Sequence, residues 1–341
     1  MWKDAKYLIA YITPLAAFVA LAEGGWWSYS AFLVTFMILP LAETILPPRP
    51  ENLTGEQEVD LSSRRFFDWL LYLNLPIVYF LCGFLAYRFA FTELTTFELV
   101  GMTLGVGIVL GTCGINVAHE LGHRESRIVQ LLARVLLAPT MYTHFTIEHN
   151  FGHHKHVATP EDPATARLGE PIFSFWIRSI SGSFVNAWKL QTKILEKEGS
   201  SFWSMSNTLL QGVLFQCAYL AIGWILFGLG AVLILVAASI VGVLLLESVN
   251  YIEHYGLVRQ QLPSGRYEPV NPTHSWNSDH QMGRIFLYEL TRHSDHHYKS
   301  TRKYQVLRHM DASPQLPFGY PASIILALVP PVWMRIMDRR V

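Results

Sequence analysis

Between Thr208 and Val249 the chain runs 42 residues without a lysine, arginine or aspartate, and its one glutamate, Glu247, stands near the end. At about 20 residues per bilayer crossing this stretch makes two spans, with the turn near Gly228-Leu-Gly230. Four more apolar runs precede it, so the sequence predicts six spans at about 7–25, 27–46, 66–87, 97–118, 208–228 and 230–254. A hydrophobic content of 51% against 15% charge agrees, and argues against the two or three soluble domains that 341 residues would allow. Ala20-Leu-Ala22 could mimic a signal-peptide cleavage site, but the apolar run continues into Trp26-Trp27, an interfacial aromatic pair. The fourth run is rich in glycine (Gly101, Gly105, Gly107, Gly111, Gly114), which lets helices approach closely in lipid.

The fold class expected is therefore all-α: a polytopic membrane protein with a single integral-membrane domain. Residues 119–207 and 255–341 form its cap. Residues 49–65 read as a loop, and 128–147, interrupted by Pro139, as an interfacial or re-entrant helix. The proline-broken run 316–337 is expected to lie on or dip into the membrane. Six crossings put both termini and both cap segments on one side. The opposite loops hold one basic residue, Arg88, of 26 in the chain, so the positive-inside rule makes the cap cytoplasmic. The membrane expected is the bacterial inner membrane, and no nucleic acid is expected as partner.

The cap carries the chemistry. Nine of 14 histidines fall into four boxes: His119-Glu-Leu-Gly-His123, His149-Asn-Phe-Gly-His153-His154, Glu253-His254 and His293-Ser-Asp-His296-His297. On helices, the i, i+4 pairs His119/His123, His149/His153 and His293/His297 put two imidazoles on one face. Imidazole suits iron, copper, nickel and zinc, and nine are too many for one metal and about right for two. The other five (His144, His156, His274, His280, His309) read as hydrogen-bonded core or surface residues. His119-Glu-Leu-Gly-His123 alone would fit a zinc protease, but three further boxes go unused in that reading. A metal carrier is disfavoured because carriers use few ligands near the midplane. Only three cysteines occur (Cys82, Cys113, Cys217), none in a Cys-x-x-Cys pair, so any electrons must come from another chain.

The boxes resemble those of the membrane alkane 1-monooxygenases, within the fatty-acid desaturase and hydroxylase superfamily. The resemblance rests on His119–His123, Glu148–His154, Asn250-Tyr-Ile-Glu-His-Tyr-Gly-Leu257 and Leu290–His297. It extends to Ala158-Thr-Pro-Glu-Asp-Pro-Ala-Thr165 and His274-Ser-Trp-Asn-Ser278. The Asn250–Leu257 segment favours hydroxylation over desaturation. The resemblance implies six transmembrane helices, two non-haem irons, dioxygen as co-substrate and terminal hydroxylation of alkanes. It also implies electrons from NADH through a reductase and rubredoxin. It assigns the iron ligands to His119, His123, His149, His153, His154, His254, His293, His296 and His297.

Metal-bound imidazoles hand their second N–H to a carboxylate or carbonyl. Candidates are Glu120, Glu148, Glu247, Asn250, Glu253, Asp295 and Glu289. An alkane has no polar handle, so apolar area binds it, at about 0.8 kcal/mol per methylene. Phe32, Phe36, Phe80 and Leu110 are candidates for the wall of its path. From Arg284 to His309 the charge is 6 − 2 = +4. Lys299, Arg302 and Lys303 are therefore candidates for docking an acidic rubredoxin.

Overall fold

The computed structural model describes residues 4–341, and all its regular elements are helical among the described residues. In chain order the main helices are α1 (Asp4–Glu23), α2 (Gly25–Ile45), α3 (Gly55–Ser63), α4 (Arg65–Phe91), α5 (Thr96–Gly122) and α6 (Arg127–Leu137). They continue with α7 (Ile172–Lys197), α8 (Thr208–His254), α9 (Gln281–Phe286), α10 (His293–Tyr298), α11 (Tyr320–Ala327) and α12 (Pro330–Met337). Five of these, α1, α2, α4, α5 and α8, are long and apolar enough to cross a membrane. The last two predicted spans fall in one element of 47 residues, interrupted only at Gly228 (φ 82°, ψ 170°). That left-handed conformation costs glycine nothing and stops a continuous helix.

The chain divides into two compact units. One comprises residues 4–39, 64–143 and 195–246. Its central helix is α5, with 72% of its apolar stretch buried against 28–44% for the other four. A capping box starts it: Thr95 Oγ1 accepts the Glu98 N–H, and Glu98 returns a carboxylate to the Thr95 N–H at 2.9 Å. The other Glu98 oxygen accepts the Gly25 N–H at 2.8 Å, tying the start of α2 to α5. Small residues set the approach of α5 to α8, because a β-carbon on Gly107 would stand 2.8 Å from the Ala238 carbonyl oxygen. Gly107→Val should therefore cost about 1–3 kcal/mol by overpacking. The measurement is the thermal midpoint of the detergent-solubilised protein, which should fall by several degrees. Gly83→Val, with open space around its site, should leave it unchanged. Helix α6 folds back in this unit: the Tyr79 hydroxyl donates to the Val135 carbonyl at 2.7 Å, and Ser239 donates to the Thr140 carbonyl. The tie to Ser239, inside the apolar run of α8, fits the re-entrant reading.

The second unit comprises residues 40–63, 144–194 and 247–341. Residues 49–65 are not all loop, since α3 lies within them. A second capping box, overlooked in the sequence, starts it: Gln57 N–H to Thr54 Oγ1 at 3.3 Å, and Thr54 N–H to Gln57 Oε1 at 3.0 Å. The fully buried Arg292 holds this segment by donating to the carbonyls of Glu51 (3.1 Å) and Arg49 (3.2 Å), and to that of Leu307 (2.7 Å). Tyr251, Tyr255 and Trp333 pack as a buried aromatic cluster, ring centres 5.3–5.8 Å apart, fixing the end of α8 against α12. Residues 316–337 form two helices of eight residues each, neither long enough to cross a membrane.

Candidate metal centre

The second histidine box does not form a plain α-helix. Residues Glu148–His153 make a π-helical turn, which widens the helix and changes which side chains share a face. His149 Nε2 thus lies 3.0 Å from His154 Nε2, five residues on, and His154 Nε2 lies 3.0 Å from His296 Nε2. His149 and His153 stand side by side as their spacing predicts, ring centres 5.2 Å apart, but the nitrogen of His153 joins a different set.

That set is His153, His254, His293 and His297, all buried, with ligating nitrogens within 4.8 Å of one another. His254 Nε2 is 3.2 Å from His293 Nε2, which is 2.9 Å from His297 Nε2. Helix α10 supplies His293 and His297 from one face, as their i, i+4 spacing predicts, and α8 ends by delivering His254. Gly256 (φ 73°) turns the chain away just beyond. Four imidazole nitrogens so close suit one cation. Nitrogens about 2.0–2.1 Å from a metal and at right angles to each other stand about 3 Å apart.

The outer nitrogens are also held. His153 Nδ1 donates to the Asp162 carboxylate at 2.9 Å, and His254 Nδ1 faces the His274 carbonyl at 3.3 Å. On the inner side, Glu253 places Oε2 3.2 Å from His293 Nε2, the nitrogen that faces the set, while its Oε1 accepts the Tyr320 hydroxyl at 2.8 Å. Burial drives His297 well below the usual histidine range, and neighbouring imidazoles push the same way, so it is neutral and free to ligate. Burial also disfavours charge on His153, but the charge and hydrogen bond of Asp162 outweigh it and raise His153 above its ordinary value. Burial raises the Glu148 carboxyl well above the carboxylate range, and neighbouring Asp162 adds to it.

His119 and His123 lie in the first unit, at the end of α5, with ring centres 5.0 Å apart. There Glu120 pairs with Arg124 at 2.7 Å. Of the remaining outer candidates, Glu148 accepts from Asn186 at 3.2 Å. Glu247 accepts the Ser179 hydroxyl at 2.5 Å and lies 3.4 Å from the Asn250 amide. Glu289 pairs with Arg284 at 2.6 Å. Asp295 turns to the Arg308 N–H (2.9 Å) and Arg302 (3.2 Å). Arg302 is thereby committed internally, and Lys303 donates to the Ser62 carbonyl at 3.0 Å, whereas Lys299 is exposed. Phe32 packs on Phe36 (5.4 Å) and Phe80 on Phe84 (5.9 Å); Phe32 and Phe80 are exposed, and Leu110 is buried. A separate apolar cavity of about 410 Å³ lies between α4 and α8, lined by Tyr79, Gly83, Phe215, Tyr219 and Leu226 among others.

Two residues of this site, Asp162 and Tyr320, were not singled out in the sequence. For Asp162 a signal existed: the second of two acids in Thr159-Pro-Glu-Asp-Pro163, a turn fixed by two prolines that starts six residues beyond His153. Tyr320 stands 67 residues from Glu253, and no local pattern joins them.

Residues 95–325 match the sequence model of the fatty acid desaturase family. Over 309 residues the chain is 38% identical to the alkane 1-monooxygenase of Acinetobacter baylyi, covering 91% of this chain and 76% of that protein. It is 39% identical to alkane 1-monooxygenase 1 of Alcanivorax borkumensis, covering 96% and 82%. The xylene/toluene monooxygenase hydroxylase component XylM of Pseudomonas putida is 29% identical over 342 residues, covering 98% and 87%.

Proposed function

The chain belongs to the fatty acid desaturase family and, within it, to the alkane 1-monooxygenases, and on that premise we propose that it hydroxylates medium- to long-chain n-alkanes to 1-alkanols. The observation that carries this reading is the buried four-histidine set, a site built for a cation in a chain related to monooxygenases. We assign two irons to the nine box histidines. His153, His254, His293 and His297 take one, and His149, His154 and His296 contribute to the other. Bound there, reduced iron supplies the means to activate dioxygen. The balance is RH + O₂ + 2 e⁻ + 2 H⁺ → ROH + H₂O, and with three cysteines and no cysteine pair the chain draws its electrons from rubredoxin, fed by an NADH-dependent reductase.

The protein's own residues do the rest. Asp162 and the His274 carbonyl hold ring orientation, and the neutral imidazoles present lone pairs inward. Burial of the set keeps bulk water from the reacting methyl group. In this reading α8 crosses twice by turning at Gly228, giving six spans with a cytoplasmic cap in a bacterial inner membrane. The alkane enters from lipid past Phe32, Phe36 and Phe80, with Leu110 deeper, and rubredoxin docks at the basic segment around Lys299, Arg302 and Lys303. The test is turnover of octane under labelled dioxygen with rubredoxin and its reductase. The expected product is 1-octanol carrying the label; an unlabelled alkene from a fatty acyl chain would instead make the protein a desaturase.

A further inference from the structure

Among the described residues no arginine or lysine forms an ion pair with Asp162. Its carboxylate is fully buried, and its partners are His153 Nδ1 (2.9 Å), the Thr165 hydroxyl (2.6 Å) and the Ala164 N–H (3.0 Å). A buried carboxylate without an arginine or lysine is costly, and it persists where another positive charge compensates it. From Asp162 the hydrogen bond to His153 leads into the four-histidine set. We propose that Asp162, acting through His153, is the positioning residue that lowers the reduction potential of the metal held by that set. This inference rests on the reading that the set holds iron.

The loop around Asp162 is built for this task. Ala158 adopts a positive φ of 59°, unusual for a residue other than glycine, and its N–H donates to Thr165 Oγ1 at 2.8 Å. Arg178 clamps the same loop from outside through the carbonyls of Pro163 and Thr165, both at 2.9 Å. With Nδ1–H committed to Asp162, His153 presents Nε2 to the set as a lone pair in one tautomer. A carboxylate on the outer N–H makes the imidazole more basic, which favours the higher oxidation state of the metal. His254 has a backbone carbonyl at 3.3 Å in the same role, a weaker acceptor than a carboxylate.

Two substitutions in the full-length protein should shift the potential in opposite directions. Asp162→Asn removes the charge, and an outer partner of this kind is worth about 10–100-fold in metal affinity. A tenfold greater loss for ferric than for ferrous iron raises the potential by about 59 mV. Thr165→Val removes a donor that draws charge from Asp162, so His153 becomes more basic and the potential falls. Asp162→Glu should restore part of the Asp162→Asn shift. The measurement is iron analysis followed by a potentiometric titration read by Mössbauer spectroscopy. Full iron with an unmoved potential in Asp162→Asn would overturn the inference. So would upward shifts in both variants, the mark of general loosening. If Asp162→Asn does not fold, the downward shift in Thr165→Val stands as the test alone. A parent protein without iron would overturn the metal reading itself, which separates the two failures.

Discussion

Replacing His254 by alanine should lower alkane turnover by more than about 100-fold and reduce the iron content of the purified protein. Loss of an outer partner alone weakens metal sites by about 10–100-fold, and His254 is itself one of the four converging histidines. It is fully buried, with Nε2 3.2 Å from His293 Nε2. Iron analysis and octane turnover on the same preparation check this. Full turnover with full iron would take His254 out of the ligand set, and with it the assignment of its box.

The largest effect on stability is expected at Gly319. Glu43 is buried near the end of α2, where its Oε1 accepts the Gly283 N–H at 2.9 Å. Its Oε2 lies against the Gly319 backbone, so closely that a β-carbon there would overlap it. In Gly319→Ala the carboxylate must leave its bond to Gly283 or α11 must shift. Overpacking costs about 1–3 kcal/mol and a hydrogen bond to a charged group about 1.5–3, so a loss of about 3 kcal/mol is expected. The backbone of Gly319 (φ −63°, ψ 165°) suits alanine, so the effect isolates the contact with Glu43. A double-mutant cycle decides it, with Gly319→Ala in the Glu43→Ala background costing much less than alone. Equal costs in both backgrounds would show that the strain arises elsewhere.

The membrane spans were legible because lipid imposes one requirement, length and apolarity, that a sequence displays directly. The convergence of the boxes was legible for a similar reason: histidine repeated at short spacing has few other uses. Sharing between sets was not legible. An i, i+4 spacing sets two rings side by side, as His149 and His153 are, but it does not say which set each nitrogen joins, and through the π-helical turn at Glu148–His153 His149 Nε2 meets His154 instead. Helix α3 was missed because Thr54-Gly-Glu-Gln57 was read for its polarity and not for its capping box. Asp162 and Tyr320 act across loops and long sequence separations, where pairing depends on tertiary packing alone. The charge of the Arg284–His309 segment was counted correctly, but a count does not reveal that Arg302 and Lys303 have partners within the protein.

The central claim is that the histidine boxes hold two irons. The most direct measurement is elemental analysis of the purified full-length protein, with Mössbauer spectroscopy of iron-57-enriched material. The account predicts two irons per chain, negligible zinc, and spectra of nitrogen-rich, non-haem iron. One zinc per chain and no iron would contradict it, and would return the His119-Glu-Leu-Gly-His123 motif to the protease reading.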